Sequence, residues 1–159
     1  MVDKNQAVID YMLQCPQINE NALYFNFGEA KDNNKQIITQ GNDKAMNKPY
    51  IDGSVLKRYT FTLFDFRSIA ALAVPKGFAY TSENVEEILD VQSIIDWITE
   101  QEKLRNYPNF GEDCVIEEIK AITDNPNLNG IDTSVSPALA RYSISIQIQY
   151  LDKTEKIWN

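Results

Sequence analysis

Ser54 and Lys57 stand three residues apart, the spacing of serine acyl-enzymes in which a lysine returns over the serine one helical turn later. The residues around them read instead as the start of a strand, where positions i and i+3 point to opposite faces. The companion motifs SDN and KTG are also missing, so the pair is not expected to carry acyl transfer. Asn125, Asn127, Asn129 and Gly130 copy the first half of a calcium loop. The ligand positions are amides rather than carboxylates, and Ser136 stands where a bidentate glutamate is needed. Only Asp132 brings charge, so an Asn-rich turn satisfying its own backbone is expected. Glu83, Glu86, Glu87 and Asp90 form an acidic cluster that could hold a cation or supply a carboxylate pair. No second acidic cluster identifies itself as a partner. The group reads as a solvated helix start, suited to the positive end of the helix dipole.

The chain has no histidine. Serine triads, Cys-His dyads, HExxH zinc sites and two-His iron sites go with it. Cys15 and Cys114 lie far apart, in no CxxC pair. They cannot complete a four-ligand zinc site without several carboxylates, and read as reduced, half-buried thiols. No two of the six glycines form GxG or the Walker A spacing. No catalytic residue, cofactor site or metal site is expected, and no enzyme activity.

The elements that must position any site come from hydrophobic period. The 159 residues are 43% apolar and 24% charged, values of one ordinary globular domain. The net charge of −8 argues against a broad grip on nucleic acid or an anionic membrane. No stretch approaches a membrane span, and MVDKNQAVID has no apolar signal core, so export by the general route is not expected. Asp3 caps a first helix, with Gln6 as its reciprocal partner and Val8, Ile9, Met12 and Leu13 as its stripe; Cys15-Pro16 ends it. Leu23, Phe25 and Phe27 share one side of a strand. Val55 to Phe66 is a long strand, partly apolar on both sides and so expected to be covered on both. Ile69 to Tyr80 holds Pro75 and Gly77 and reads as a packed connection. Asn84 begins the longest helix, which runs to about Arg105 with Val85, Ile88, Leu89, Ile95 and Ile98 on one face. Cys114 to Thr123 is a strand with Val115, Ile119 and Ala121 together. Asp124 to Pro137 reads as a turn region. The strand that follows has the clearest alternation, from Ala140, Tyr142 and Ile144 to Ile146, Ile148 and Tyr150. The last two strands are expected to be antiparallel neighbours.

Residues 29–53 are polar and rich in Asn, Lys and Asp, with one β-prone piece, Gln36 to Gln40. A loop this long inside a domain is usually functional, and it reads as a projecting arm. Lys35, Ile37, Ile38 and Thr39 are its candidate contacts with a neighbouring subunit, suited to adding a strand to that neighbour's sheet. Trp158 near the C-terminus is a further candidate. The fold class is α/β in the α+β sense: one domain with a mixed, mainly antiparallel sheet flanked by helices, and a long projecting β-arm.

The second half also carries a resemblance. Asn84, Trp97-Ile98-Thr99-Glu100-Gln101, Tyr107-Pro108, the strand Val115 to Ile119, the segment Pro126-Asn127-Leu128-Asn129-Gly130-Ile131-Asp132, and Ala140-Arg141-Tyr142 follow one another in order. This pattern, over roughly residues 84 to 152, resembles the tail terminator proteins of long-tailed bacteriophages, often called minor capsid proteins. Thr99 departs from the glutamate usual there, and the first half matches only in outline. The resemblance implies a virion protein assembled in the bacterial cytoplasm. It implies six copies in a ring that caps the tail tube and meets the head-tail connector, with DNA passing the lumen unbound. It implies no enzyme, cofactor or membrane. A tail-tube or connector subunit is the nearest alternative. An acidic cellular ligand-binding domain or carboxylate enzyme is the other.

Overall fold

Strict alternation makes Leu139–Asp152 a 14-residue strand, β9. Val55–Ser68 forms β4, also of 14 residues. The two pair antiparallel without a break, from Val55 opposite Asp152 to Ser68 opposite Leu139. This ribbon spans about 45 Å at the usual strand rise. On its inner face Tyr59, Phe61 and Leu63 stand opposite Ile148, Ile146 and Ile144, all buried. In this computed structural model the described residues are 3–18, 23–26, 34–39, 44–45, 53–68, 73–74, 77–78, 82–123, 126–132, 134 and 139–153.

Each long strand has its outer edge covered by two shorter pieces in series. Along β9 these are β7, Cys114–Ala121, and β8, Asn127–Asp132. Along β4 they are β2, Lys35–Thr39, and β3, Lys44–Ala45. β1, Leu23–Phe25, lies parallel to β2, and every other pairing in the sheet is antiparallel. The result is the expected single α+β domain with a mixed, mainly antiparallel sheet, here of seven strands. A short hairpin of β5, Ala73–Val74, and β6, Gly77–Phe78, stands apart within the stretch expected as a packed connection.

Helix α1 spans Lys4–Met12 and α2 spans Ser82–Leu104. Asp3 caps α1, its carboxylate accepting from the backbone N of Asn5 at 2.9 Å. Gln6 does not reach back; its amide donates to Asp10 at 2.9 Å. The buried face is Val8, Tyr11, Met12 and Cys15 rather than the Ile9–Leu13 side. In α2 the buried face is Val91, Ile94, Ile95, Ile98 and Gln101, while Leu89 is exposed. Val91 and Ile94 complete an i, i+3, i+4, i+7 stripe to which Leu89 stands opposite. The helix stops where Arg105 turns left-handed at φ 53°. Asn106 N then donates to Gln101 O and Arg105 N to Glu102 O, which satisfies the terminal carbonyls in a Schellman cap.

Both helices lie on the face that carries Tyr59, Phe61, Ile144 and Ile146, and with it they form one core. The opposite face holds Thr60, Thr62, Ser143, Ser145 and Gln147, with the Thr62 and Ser145 hydroxyls 3.3 Å apart. Among the described residues no helix lies on it, yet Phe66, Leu139, Ser143 and Gln147 on this face are buried. Two further corrections have one cause. The register of β7 on β9 shifts between Ile116 and Glu118. This bulge turns Cys114 and Ile116 toward the core beside Ile119 and Ala121, and leaves Val115 45% exposed. A second shift, between Leu128 and Gly130, lets the Asn-rich stretch run as β8 instead of a turn. The backbone of Leu139 to Ser143 needs partners, and that need outweighs the low strand propensity of Asn and Gly.

Two predictions follow from the core. Ile146→Ala removes a fully buried side chain from the centre of the ribbon. Urea unfolding should show a loss of about 2–5 kcal/mol. Burial pushes the Cys15 thiol up from its ordinary 9.0 to about 11. The folded chain therefore holds this proton longer than the unfolded chain. The stability it contributes is complete below pH 9.0 and is lost as pH rises to about 11. Comparing urea midpoints of Cys15→Ala and the parent across this range should show a shallower alkaline decline in the variant.

Candidate functional site

β2 and β4 bring Lys35 opposite Asp65, and Arg67 follows two residues later on the same face. All three side chains are buried, with Asp65 at 0% exposure. The Asp65 carboxylate accepts a bidentate pair from Arg67, from Nε at 2.9 Å and Nη2 at 3.0 Å. Lys35 Nζ stands 3.5 Å from the same carboxylate. Arg67 Nη1 then donates to Asp90 of α2 at 2.6 Å, and Asp90 is half-exposed. Two cations and two anions balance, as buried charge requires. Burial lowers the Lys35 pKa, and the Asp65 charge beside it opposes that shift. Burial also disfavours the Arg67 cation, but its hydrogen bonds and charge contacts with Asp65 and Asp90 outweigh this and raise its pKa. The network ties β2, β4 and the first half of α2 at one end of the sheet. With Lys35 and Asp65 shut from solvent, it holds structure rather than substrate.

The expected interface residues separate here. Lys35 and Ile37 are 1% and 0% exposed within this chain's own core, so neither reaches a neighbour. Ile38 lies on the open face opposite Thr62. Thr39 is half-buried and accepts its place from Asn26, whose amide oxygen takes the Thr39 N–H at 3.1 Å. The projecting arm over 29–53 is corrected for its described part: residues 35–39 and 44–45 are sheet strands laid on β4. The reason is that β4 offers a long unpaired edge inside its own chain, at no cost of association. Trp158 and the rest of the arm lie outside the described residues.

Asp90 is more than a solvated helix start, since it closes the buried network from the α2 side. The side chains of Glu83, Glu86 and Glu87 lie outside the described residues. Lys57 bridges to Asp152 at 2.8 Å across the β4–β9 pair, a structural role for the residue of the Ser-x-x-Lys spacing. Asp65 and Arg67 went unnoticed in the sequence, although period two already places them on the face of Tyr59, Phe61 and Leu63.

Two surfaces near these elements bear on the site. A cleft of about 350 Å³ opens between α1 and residues 107–109, lined by Asp3, Gln6, Asp10, Tyr11 and Tyr107. Its polar groups serve the chain itself: Asp3 caps α1, Asp10 accepts from Gln6, and the Tyr11 hydroxyl donates to Asn106 O. The second surface is the outer edge of β7 and β8, which no other described strand pairs. Val115 on β7, Leu128 on β8 and Ile122 just past the end of β7 are 45%, 53% and 52% exposed, while Glu102 accepts the Ile119 N–H at 2.8 Å and the Tyr107 hydroxyl donates to Glu117 O at 3.4 Å along β7. No family model matches the chain, and no curated protein matches it.

The network makes its own prediction. Asp65→Ala leaves Lys35 and Arg67 buried beside each other without their shared counter-ion. The expected loss is about 3–5 kcal/mol in urea unfolding. Asp90→Ala should cost clearly less, because water reaches that carboxylate and screens the pair.

Proposed function

We propose that this chain is a structural virion subunit of the tail terminator kind, building a ring that caps a phage tail tube and meets the head connector. The outer edge of β7 and β8 supports this reading most directly. Exposed aliphatic side chains on and between the outermost strands, Val115, Ile122 and Leu128, are a liability for an isolated domain. They suit a head-to-tail contact with a second copy, which closes a ring when the rotation closes. The segment that carries the family resemblance includes this edge: Val115 to Ile119 is β7, and Asn127 to Asp132 is β8. The net charge of −8 suits a ring whose lumen DNA must pass without sticking. In this role the protein turns over no substrate and holds no cofactor.

Light scattering on the eluting full chain, with negative-stain imaging of the same fractions, tests the proposal. Closed rings are expected as concentration rises. Ile122→Glu with Leu128→Glu should abolish them while the melting temperature stays near that of the parent, since both side chains are surface-exposed. A parent chain that stays monomeric throughout, or rings unaffected by the double substitution, would sink the edge contact.

A further inference from the structure

The open face of the sheet carries a groove that the ring reading does not use. About 420 Å³ in volume, it lies at the start of β9 and is lined by Phe66, Gly130, Ile131, Asp132, Leu139 and Arg141. Its floor is apolar, with Phe66 and Leu139 buried. Arg141 is exposed and lies over the Phe64 ring, its guanidinium carbon 5.1 Å from the centroid. The ring holds one face of the guanidinium, and among the described residues nothing occupies its in-plane N–H groups, whose fork geometry matches a carboxylate. Among the described residues Arg141 has no acidic partner. The nearest candidate by position, Asp132, turns its carboxylate to Ser134, accepting from the backbone N at 2.9 Å and from Oγ at 2.6 Å.

The register shift between Leu128 and Gly130 shapes the wall. A bulge leaves one residue outside the ladder, here Asn129. Above Gly130 the space is open: a Cβ built there meets nothing within 4 Å. An exposed guanidinium beside a floor of Phe66 and Leu139 matches one ligand chemistry, a carboxylate beside an apolar side chain on an extended peptide. The acid of Asp132 at the rim disfavours the denser charge of a phosphate or a nucleic-acid backbone.

We propose that this groove binds an acidic-apolar peptide segment of a partner protein, with Arg141 holding its carboxylate and Phe66 and Leu139 taking the neighbouring side chain. The groove shares β8 with the proposed edge contact but uses the face of that strand rather than its outer edge, and Arg141, on which the test turns, belongs to β9.

Fluorescence anisotropy with a labelled eight-residue peptide, two Leu-Asp pairs between Gly-Ser ends, tests it on the full chain. The matched Leu-Asn peptide should bind about tenfold more weakly, the loss of one charge-assisted contact. Arg141→Gln should bring both peptides to that weaker level, and Arg141→Lys should restore part of the difference. Gly130→Leu grows a side chain into open space, and should block binding while leaving the melting temperature near the parent's. Equal binding of the two peptides, no binding of either, or an unchanged Arg141→Gln variant would overturn the proposal. Displacement of the peptide by inorganic phosphate at equal concentration would overturn the peptide assignment, since the site would then be a general anion site.

Discussion

The unbroken antiparallel ladder between β4 and β9 is the constraint on which the rest of this fold depends. Side chains alternate with a period of two, so a slip of one residue would move every inward side chain to the open face. Tyr59, Phe61, Leu63, Ile144, Ile146 and Ile148 would leave the core together. No such slip is compatible with the helices, which among the described residues have no other apolar surface to cover. The ladder also sets the demand that the shorter strands meet. A 14-residue strand exposes a long row of backbone donors and acceptors on its far side. Two pieces of chain are recruited to each row, and bulges absorb the mismatch in length and phase.

At one end of that ladder the core face changes from apolar to ionic. Asp65 and Arg67 continue the row begun by Tyr59, Phe61 and Leu63. Buried charge is tolerable only when paired and hydrogen-bonded. The pairing needs Lys35 from β2 and Asp90 from α2, so three elements must arrive in register before the cost of burial is offset. Hydrophobic packing alone would accept a range of β2 positions; the carboxylate of Asp65 accepts few. The network therefore acts as a registration device for β2, while Asp90 keeps one corner in contact with water.

The two faces and the edge of the sheet divide the remaining work. One face is consumed by α1 and α2. The open face carries hydroxyls and amides along its centre and the Arg141 groove at its end. The outer edge of β7 and β8 presents aliphatic side chains because the β7 bulge turned Val115 out of the core. The same local irregularity that seats Cys114 and Ile116 in the core thus exposes Val115, one of the three side chains of the proposed contact.

The sequence by itself determined the α+β class, the long strands and the inward row of β9, because strict alternation over many residues has one physical solution. It also determined the Asp3 cap, since a side-chain acceptor just before an apolar helical stripe serves orphan N–H groups locally. What depended on distant partners was not legible. Lys35 reads as a surface residue until Asp65 is placed beside it, and the segment 35–39 reads as an arm until β4 offers its edge. The α2 face was misjudged where two overlapping apolar stripes, one through Leu89 and one through Val91, competed on equal local terms. The bulges at Glu117 and Asn129 left no mark in the pattern, because an extra residue shows itself only against the partner strand. Tertiary structure decided these points, for each is settled by the free energy of pairing two segments that the chain keeps far apart.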